Sequence, residues 1–210
     1  MHMENKLRKE FRLTNAFVKM SLDAYRAELG ENGLNVLFNY AGLYHFIDDP
    51  IPDNFEQGMH FNEFSAIQSA ALAVYGERAF KILSWRIGSQ LFTNHLQFLI
   101  PLKSVLQSKD FETLPKDQKI ELSLLALAKV LNRLSDQEIE VKKREGTRLF
   151  IVNSCAVCWE QSVYTPNCFF TDGIISACLH YLQEDIIIGN KQVKSRAAGS
   201  QSCIFEINLG

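Results

Sequence analysis

The apolar positions in the first two thirds of the chain recur at helical spacing. The segment "DQKIELSLLALAKVLNRLSD" carries leucine or isoleucine every three or four residues. This repeat predicts one buried helix face made of Ile120, Leu124, Leu127, Leu131 and Leu134. Nearer the start, "LTNAFVKMSLDAYRAELG" predicts a helix with Thr14 as its N-cap and Gly30 as its end.

Three more helical segments are predicted around a polar loop. The segment "NGLNVLFNYAGLYHFI" is short and very apolar, and "DDPIPDNFEQG" after it is a loop because its prolines and acidic residues do not continue a helix. Beyond the loop, the pattern predicts helices over about 62–75 and 77–95.

The pattern changes to strands after Ser135. The segments "EIEVKKRE" and "TRLFIVNSCAV" are typical of strands, as are "KQVKSRAAG" and "SCIFEINL", which a turn at Gly199 joins. Between these pairs, one long helix from about Cys168 to Glu184 is predicted. Helices followed by an antiparallel sheet predict an α+β protein with residues 1–210 as a single domain, divided into a helical half (1–135) and a sheet and helix half (136–210).

Composition narrows the possible classes of function. A 210-residue chain with 47% hydrophobic residues can bury a full core, and its net charge of −2 gives no general reason to expect nucleic acid as a partner. No apolar run approaches the ~20 residues of a transmembrane segment, and the start of the chain lacks the apolar core of a signal peptide. We therefore expect a cytoplasmic protein, with peripheral attachment to a membrane left open.

The usual enzyme signatures are missing from the sequence. It contains no phosphate-binding glycine loop, Rossmann fingerprint, nucleophile elbow or H-E-x-x-H motif. The five histidines lie far apart, and Asp48 and Asp49 fall in the polar loop, where turn and cap roles account for them. A role without catalysis is therefore favoured, although the sequence leaves the question of an enzyme open.

Four of the five cysteines form the candidate site for chemistry. Cys155 and Cys158 make a C-x-x-C motif at the end of a strand, Cys168 follows at the start of a helix, and Cys203 opens the last strand. Three interpretations remain: four thiolates around zinc, a redox pair, or thiols buried as small apolar groups. Cys178 fits the third one, since it lies on the apolar face of its helix.

The C-terminal segments "NCFFTDGIISACLHYL" and "SRAAGSQSCIFEI" resemble the 4-vinyl reductase domain, also called the hydrocarbon-binding domain. The family motif is matched over about 65 residues by Cys168, Gly173, Ala197, Gly199, Cys203, Phe205 and Ile207. The segments "GLNVLFNYAGL", "YGERAF" and "RIG" are similar to the helical half of longer bacterial members. The resemblance implies a fold like that of TRAPP subunits, with helices against an antiparallel sheet that one long helix crosses.

Two positions depart from the pattern of the zinc-binding family members. This chain has Ser195 where they place a cysteine and Gln192 where they place a glutamate, and neither is a usual zinc ligand. We therefore predict that any bound zinc is held by Cys155, Cys158, Cys168 and Cys203, as a rebuilt site.

The resemblance also implies an apolar pocket between the helices and the sheet. We expect Trp85, Phe80 and Phe92 in its wall, with Arg86 as an anchor for an anionic group. The expected function is binding of a hydrophobic or tetrapyrrole-like molecule in a sensing, carrier or accessory role, with a protein partner for relay. The alternatives are an enzyme or accessory factor of chlorophyll-type pigment metabolism or photosystem assembly in photosynthesis, and a protein-assembly scaffold. The apolar N-terminal helices further predict a homodimer.

Overall fold

The computed structural model of the protein describes residues 10–49, 51–99, 111, 113–182 and 189–208. The chain enters helix α1 (Asn15–Ala41) directly from a three-residue strand, and Thr14 caps the helix by accepting a hydrogen bond from the N–H of Phe17 at 3.3 Å. The short α2 (His45–Asp48) and the long α3 (Phe61–Leu91) follow, and α3 continues through a π-helical turn (Phe92–Leu96) into α4 (Gln97–Leu99). Helix α5 spans Lys116–Leu134, and α6 spans Phe169–Leu182.

One glycine in each of the long elements α1 and α3 divides it into two helices that meet at a kink. Gly30 in α1 has φ 70° and ψ 171°, and Gly76 in α3 has φ 75° and ψ 164°. Both φ values lie in the left-handed region, which glycine adopts at little cost. The backbone leaves the helical conformation at both glycines, so the predicted helix end at Gly30 and the two helices predicted on either side of Gly76 are confirmed.

A small sheet that the sequence did not predict joins the start of the chain to the polar loop. Strand β1 (Arg12–Thr14) pairs antiparallel with β2 (Gln57–His60). The backbone N–H groups of Asn15 and Ala16 donate to the carbonyls of Glu56 and Asn54, at 2.9 and 2.8 Å. The loop is thereby fastened over the beginning of α1.

The C-terminal half forms a four-stranded antiparallel sheet. Its strands are β3 (Ile139–Arg144), β4 (Thr147–Val152), β5 (Asn190–Lys194) and β6 (Cys203–Asn208), in the order β3-β4-β6-β5. The α+β prediction, with helices before an antiparallel sheet, is confirmed. The predicted end of the last helix at Glu184 lies outside the described residues, and the assignment to a single domain stays a prediction.

The core lies between the helices and one face of this sheet. The predicted stripe of α5 is buried along its whole length, from Ile120 to Leu134. From the sheet, Phe150, Phe205 and Ile207 are fully buried. Within the described part of the chain, no helix combines the length and apolar character that crossing a membrane requires.

Candidate metal centre

Four elements of the C-terminal half bring the four predicted cysteines together. Cys155 follows β4, and Cys158 ends the 3-10 turn Ala156–Cys158. Cys168 immediately precedes α6, and Cys203 is the first residue of β6, where it pairs with Val152 at the end of β4. The antiparallel register between β4 and β6 therefore places the C-x-x-C turn beside Cys203.

The sulfur geometry matches that of a single tetrahedral ion. The Sγ atoms are 3.8 Å apart for Cys155 and Cys168, 3.5 Å for Cys158 and Cys203, and 3.6 Å for Cys168 and Cys203. All four lie within 4.8 Å of one another. Because a Zn–S bond measures about 2.3 Å, regular tetrahedral geometry requires S···S distances of about 3.8 Å. None of the five cysteines is in a disulfide. The four cysteines could therefore hold one metal ion.

Contacts among the cysteines shift the pKa values of Cys158 and Cys155 in opposite directions. The pKa of Cys158 is lowered because Cys155, above all, and then Cys168 and Cys203 hydrogen-bond to its thiolate. The pKa of Cys155 is raised, first by its hydrogen bond with Cys158 and then by its other cysteine neighbours and by burial. Several adjacent thiolates repel one another in a buried site. This repulsion opposes ionisation of all four thiols. A divalent cation bound between them would offset it by neutralising part of the negative charge.

Backbone and amide groups surround the four cysteines. The N–H of Arg196 donates to Sγ of Cys203 at 3.4 Å. The side-chain carbonyl of Gln192 accepts a hydrogen bond from the N–H of Cys168 at 3.0 Å and so helps to position that cysteine. Ser195 is buried, and within the described chain its hydroxyl has no hydrogen-bond partner.

Cys178 stands apart from the other cysteines. It is fully buried on α6, and its Sγ lies 4.0 Å from the carbonyl oxygen of Ser123 in α5. Burial raises its pKa to about 12, which keeps the thiol protonated at neutral pH.

The four residues predicted to contact a ligand separate into two pairs. Phe80 and Phe92 are buried in the core, where Phe80 packs edge-on against Phe169. Trp85 is 38% exposed, and its indole N–H donates to the hydroxyl of Ser176 at 3.3 Å. The half-exposed side chain of Arg86 forms an ion pair with Glu28 at 3.0 Å. Their assignment to a ligand site stays a prediction. None of the four lines the void beside the cysteines or the pocket formed by β1, β2 and α2.

A small void lies between the helices and the sheet, beside the metal site. It measures about 10 Å³, which is room for at most one water molecule. Part of its lining comes from Ala156 and Val157, between two of the cysteines, and from Phe170 and Thr171, just after Cys168. The candidate metal centre therefore shares a wall with this void.

A larger pocket, which the sequence analysis missed, lies at the N-terminal end of the molecule. It measures about 290 Å³ and is formed by β1, β2, α2, the loop after α2 and the first turn of α3. Its lining residues lie between positions 12 and 63, far in sequence from the cysteine motif and the residues predicted to contact a ligand. We call it the N-terminal pocket.

Comparison with known proteins supports the fold. No protein-family model matches the chain, and no curated protein matches it. Among solved structures, an H-NOX protein from S. oneidensis in the Fe(II)NO ligation state is 13% identical, with a TM-score of 0.59 over 94% of this chain and 99% of that one. An unliganded Fe(II) H-NOX protein from K. algicida is also 13% identical, with a TM-score of 0.56 over 93% of this chain and 96% of that one. At such identities the likeness shows the fold alone, and it shows that nearly the whole chain follows an α+β arrangement similar to that of H-NOX proteins.

Proposed function

We propose that this protein binds a hydrophobic small molecule without transforming it, in a sensing or carrier role, and that zinc in the four-cysteine site holds one wall of the binding region. The observation that carries this proposal is the wall shared by the metal site and the void. An ion at the four cysteines would fix the 3-10 turn and the start of α6 relative to β6. Both segments touch the interior where the ligand would lie.

The lining of the void suits an apolar ligand. Phe17 from α1, Phe64 from α3, and Phe170 and Ile174 from α6 surround it. Its polar side chains, Gln137 and Thr171, do not act as acids or bases near neutral pH, so this lining fits binding better than proton transfer.

The void must enlarge before a ligand can enter. At about 10 Å³ it is closed, so binding would select a state in which α6 or the 3-10 turn lies farther from α1 and α3. Burial of ~300 Å² of apolar ligand surface contributes about 7 kcal/mol, from which the free energy of opening is subtracted. A ligand of this size could therefore bind with micromolar affinity if opening costs little.

The likeness to H-NOX proteins supports a sensing role. Those structures are described in Fe(II) and Fe(II)NO ligation states, so a small ligand binds at a metal centre in a similar fold. In this chain, the candidate centre is of another kind, because four buried thiolates leave no open coordination position on a tetrahedral ion. We therefore assign the metal a structural role, and the resemblance to the hydrocarbon-binding domain extends the candidate ligands to tetrapyrrole-like molecules.

A binding screen on the zinc-loaded protein tests this proposal. Naphthalene, palmitate and protoporphyrin represent aromatic hydrocarbons, fatty acids and tetrapyrroles, and tryptophan fluorescence and thermal shift report binding. For a ligand that binds, Ile174→Phe should fill the void and weaken binding by about tenfold or more. Ile82→Phe, at an exposed position of α3, is the matched control and should leave binding unchanged. Val157→Ile is a milder second variant if Ile174→Phe fails to fold.

Three results would contradict the proposal. The first is the absence of a shift with all three ligand classes, and the second is equal binding by Ile174→Phe, Val157→Ile and the control. The third is turnover of a vinyl-bearing pigment with added reductant, which would indicate an enzyme.

A scaffold function is the second candidate, since exposed apolar side chains occur at the end of α1 and in the turn that follows it. Val36, Tyr40 and Tyr44 are each about half exposed or more, and Val36 and Tyr40 are one helical turn apart. We call these three residues the α1 patch. Exposed aromatic groups of this kind are enriched in protein interfaces.

A further inference from the structure

The N-terminal pocket is chemically unlike the void between the helices and the sheet. Its wall includes the ionisable groups Arg12, His45, Asp49, His60 and Glu63. None of the cysteines and none of the residues that line the void belongs to it. At about 290 Å³ it lies at the lower end of the range typical of small-molecule sites, so it suits a compact ligand.

The pocket is held open by contacts that do not depend on a ligand. The amide of Asn15 donates to Oδ1 of Asn54 at 2.8 Å, which fixes the loop over the start of α1. A Cβ at Gly58 would come within 1.9 Å of Oδ1 of Asn15, so a larger residue at this position would displace the Asn15 side chain that bonds to Asn54. The loop after α2 and strand β2 therefore hold their positions around the pocket without a ligand.

The charges in the pocket leave an excess of carboxylate. The guanidinium of Arg12 is already engaged, because it donates to Oε2 of Glu10 at 3.0 Å and to the carbonyl of Gly58 at 3.2 Å. Within the described ranges, no ion pair joins Asp49 or Glu63 to a cationic side chain. Glu63 uses Oε2 to accept the N–H of His60 at 2.8 Å. The pocket therefore favours a positively charged ligand over an anionic one.

An aromatic surface accompanies these carboxylates. The rings of His45 and Phe46 lie with their centroids 4.1 Å apart, and Phe46 in turn packs against Phe38 at 6.0 Å. Met59 from β2 adds a buried apolar side chain. Carboxylates next to an aromatic face are the combination that attracts organic cations, through both charge and the ring quadrupole.

We propose that the N-terminal pocket binds a small organic cation, a protonated or quaternary amine with a short apolar body. Asp49 and Glu63 supply the charge complementarity, and Phe46 with His45 supplies the aromatic face. This site is independent of the hydrophobic-ligand proposal, since the two share no residue.

Calorimetric titration of the full chain with choline tests the site. The matched neutral probe is 3,3-dimethylbutan-1-ol, which has the same shape with carbon in place of the charged nitrogen, and 3,3-dimethylbutanoate is the anionic probe. The titrations are made at about pH 8, since histidine gains charge mainly at lower pH. We expect the Kd of choline to be about tenfold lower than that of either other probe.

Isosteric variants locate the binding. Asp49→Asn and Glu63→Gln should each raise the Kd of choline by about fivefold to tenfold, and Phe46→Leu should raise it by a similar factor. Asp53→Asn is the control, because Asp53 lies in the same loop but outside the pocket, paired with Lys19 at 2.7 Å. Its Kd should match that of the unaltered protein.

Several outcomes would overturn the proposal. The first is binding of the neutral or the anionic probe as tightly as choline, and the second is an unchanged Kd of choline in both Asp49→Asn and Glu63→Gln. Failure of both choline and tyramine to bind at millimolar concentration would also overturn it. Circular dichroism verifies that each variant is folded. A variant that does not fold is excluded, and the remaining variants decide the outcome.

Discussion

Gly88 of α3 and Gly173 of α6 lie where the backbones of these two helices touch. A Cβ at Gly88 would come 2.0 Å from the carbonyl oxygen of Phe170, and one at Gly173 would come 2.0 Å from that of Trp85. Neither contact can be relieved by turning a side chain, since the obstructing atoms belong to the backbone. The pair therefore fixes α6, and with it the position of Cys168 one residue before the helix.

We expect Gly88→Ala and Gly173→Ala to destabilise the protein by about 2 kcal/mol or more each, because the helices must separate. This loss would appear although alanine is the better helix former. For a chain of this length it corresponds to a decrease in Tm of about 4–8 °C, which thermal denaturation followed by circular dichroism measures. Gly189→Ala is the control, since nothing lies within 4 Å of a Cβ there. Unchanged melting of both helix variants would show that the crossing is looser than described.

Metal analysis of the purified, reduced protein should give about one equivalent of zinc. Cys168→Ser should lose it and unfold at lower temperature, because three thiolates bind zinc more weakly than four and the site joins α6 to β6. Cys178→Ser is the matched control: it is equally buried but outside the cluster, so it should keep its zinc and lose only packing. Less than a tenth of an equivalent of zinc or iron in the unaltered protein would instead favour buried thiols without a metal.

The stability of the protein should depend on the ionisation of Asp172. Burial raises its pKa from 3.8 to about 6, although Lys81 opposes the shift. The folded state therefore binds this proton more tightly than the unfolded chain, and the contribution of Asp172 to stability falls as the pH rises from about 4 to about 6. Above that range the ionised carboxylate costs up to about 3 kcal/mol.

Asp172→Asn should consequently stabilise the protein at pH 8 and change little near pH 4, as measured by urea denaturation. Both proteins are measured with the same metal content, which metal analysis at each pH verifies. Glu140→Gln is a control of opposite sign, because hydrogen bonds from Asn153 and then Lys142 lower the pKa of Glu140. An Asp172→Asn effect that is equal at both pH values would rule out ionisation as its cause.

Light scattering should give a dimer of the 24.0 kDa chain at micromolar concentration. Tyr40→Lys in the α1 patch should shift the particle toward the monomer, because it places a charge in the apolar contact. Tyr164→Lys, at a fully exposed loop position, should leave the mass unchanged. A monomer in the unaltered protein would contradict the predicted homodimer and remove the main support for a scaffold function.

Periodicity was enough to predict the long helices and the central strands β4 and β6, because their buried positions recur at helical or strand spacing. The stripe from Ile120 to Leu134 and the alternation in β6 are examples. The four cysteines could also be grouped from the sequence, since a C-x-x-C turn and two further thiols at element ends suit one ion. Cys203 comes close to the C-x-x-C turn because it pairs with Val152 in the sheet. The spacing of these residues in the sequence does not predict that strand register.

Other features depend on contacts between distant segments. The β1–β2 sheet consists of strands too short for an alternating pattern. Residues predicted to form one ligand-binding wall lie on two different faces of α3: Phe80 is buried, whereas Trp85 is partly exposed. Phe80, Ser84, Ile87 and Leu91 form its buried stripe, so Trp85 and Arg86 point elsewhere.

The strand order has a consequence for how the protein is synthesised. Strand β6 lies in the middle of the sheet, between β4 and β5, although it follows both in sequence. Until residues 203–208 have left the ribosome, β4 and β5 lack the strand that pairs with both of them. The four-cysteine cluster also lacks Cys203 until then. A chain that lacks residues 203–208 would therefore expose the strand edges that β6 covers, and we expect such a product to be prone to aggregation and degradation.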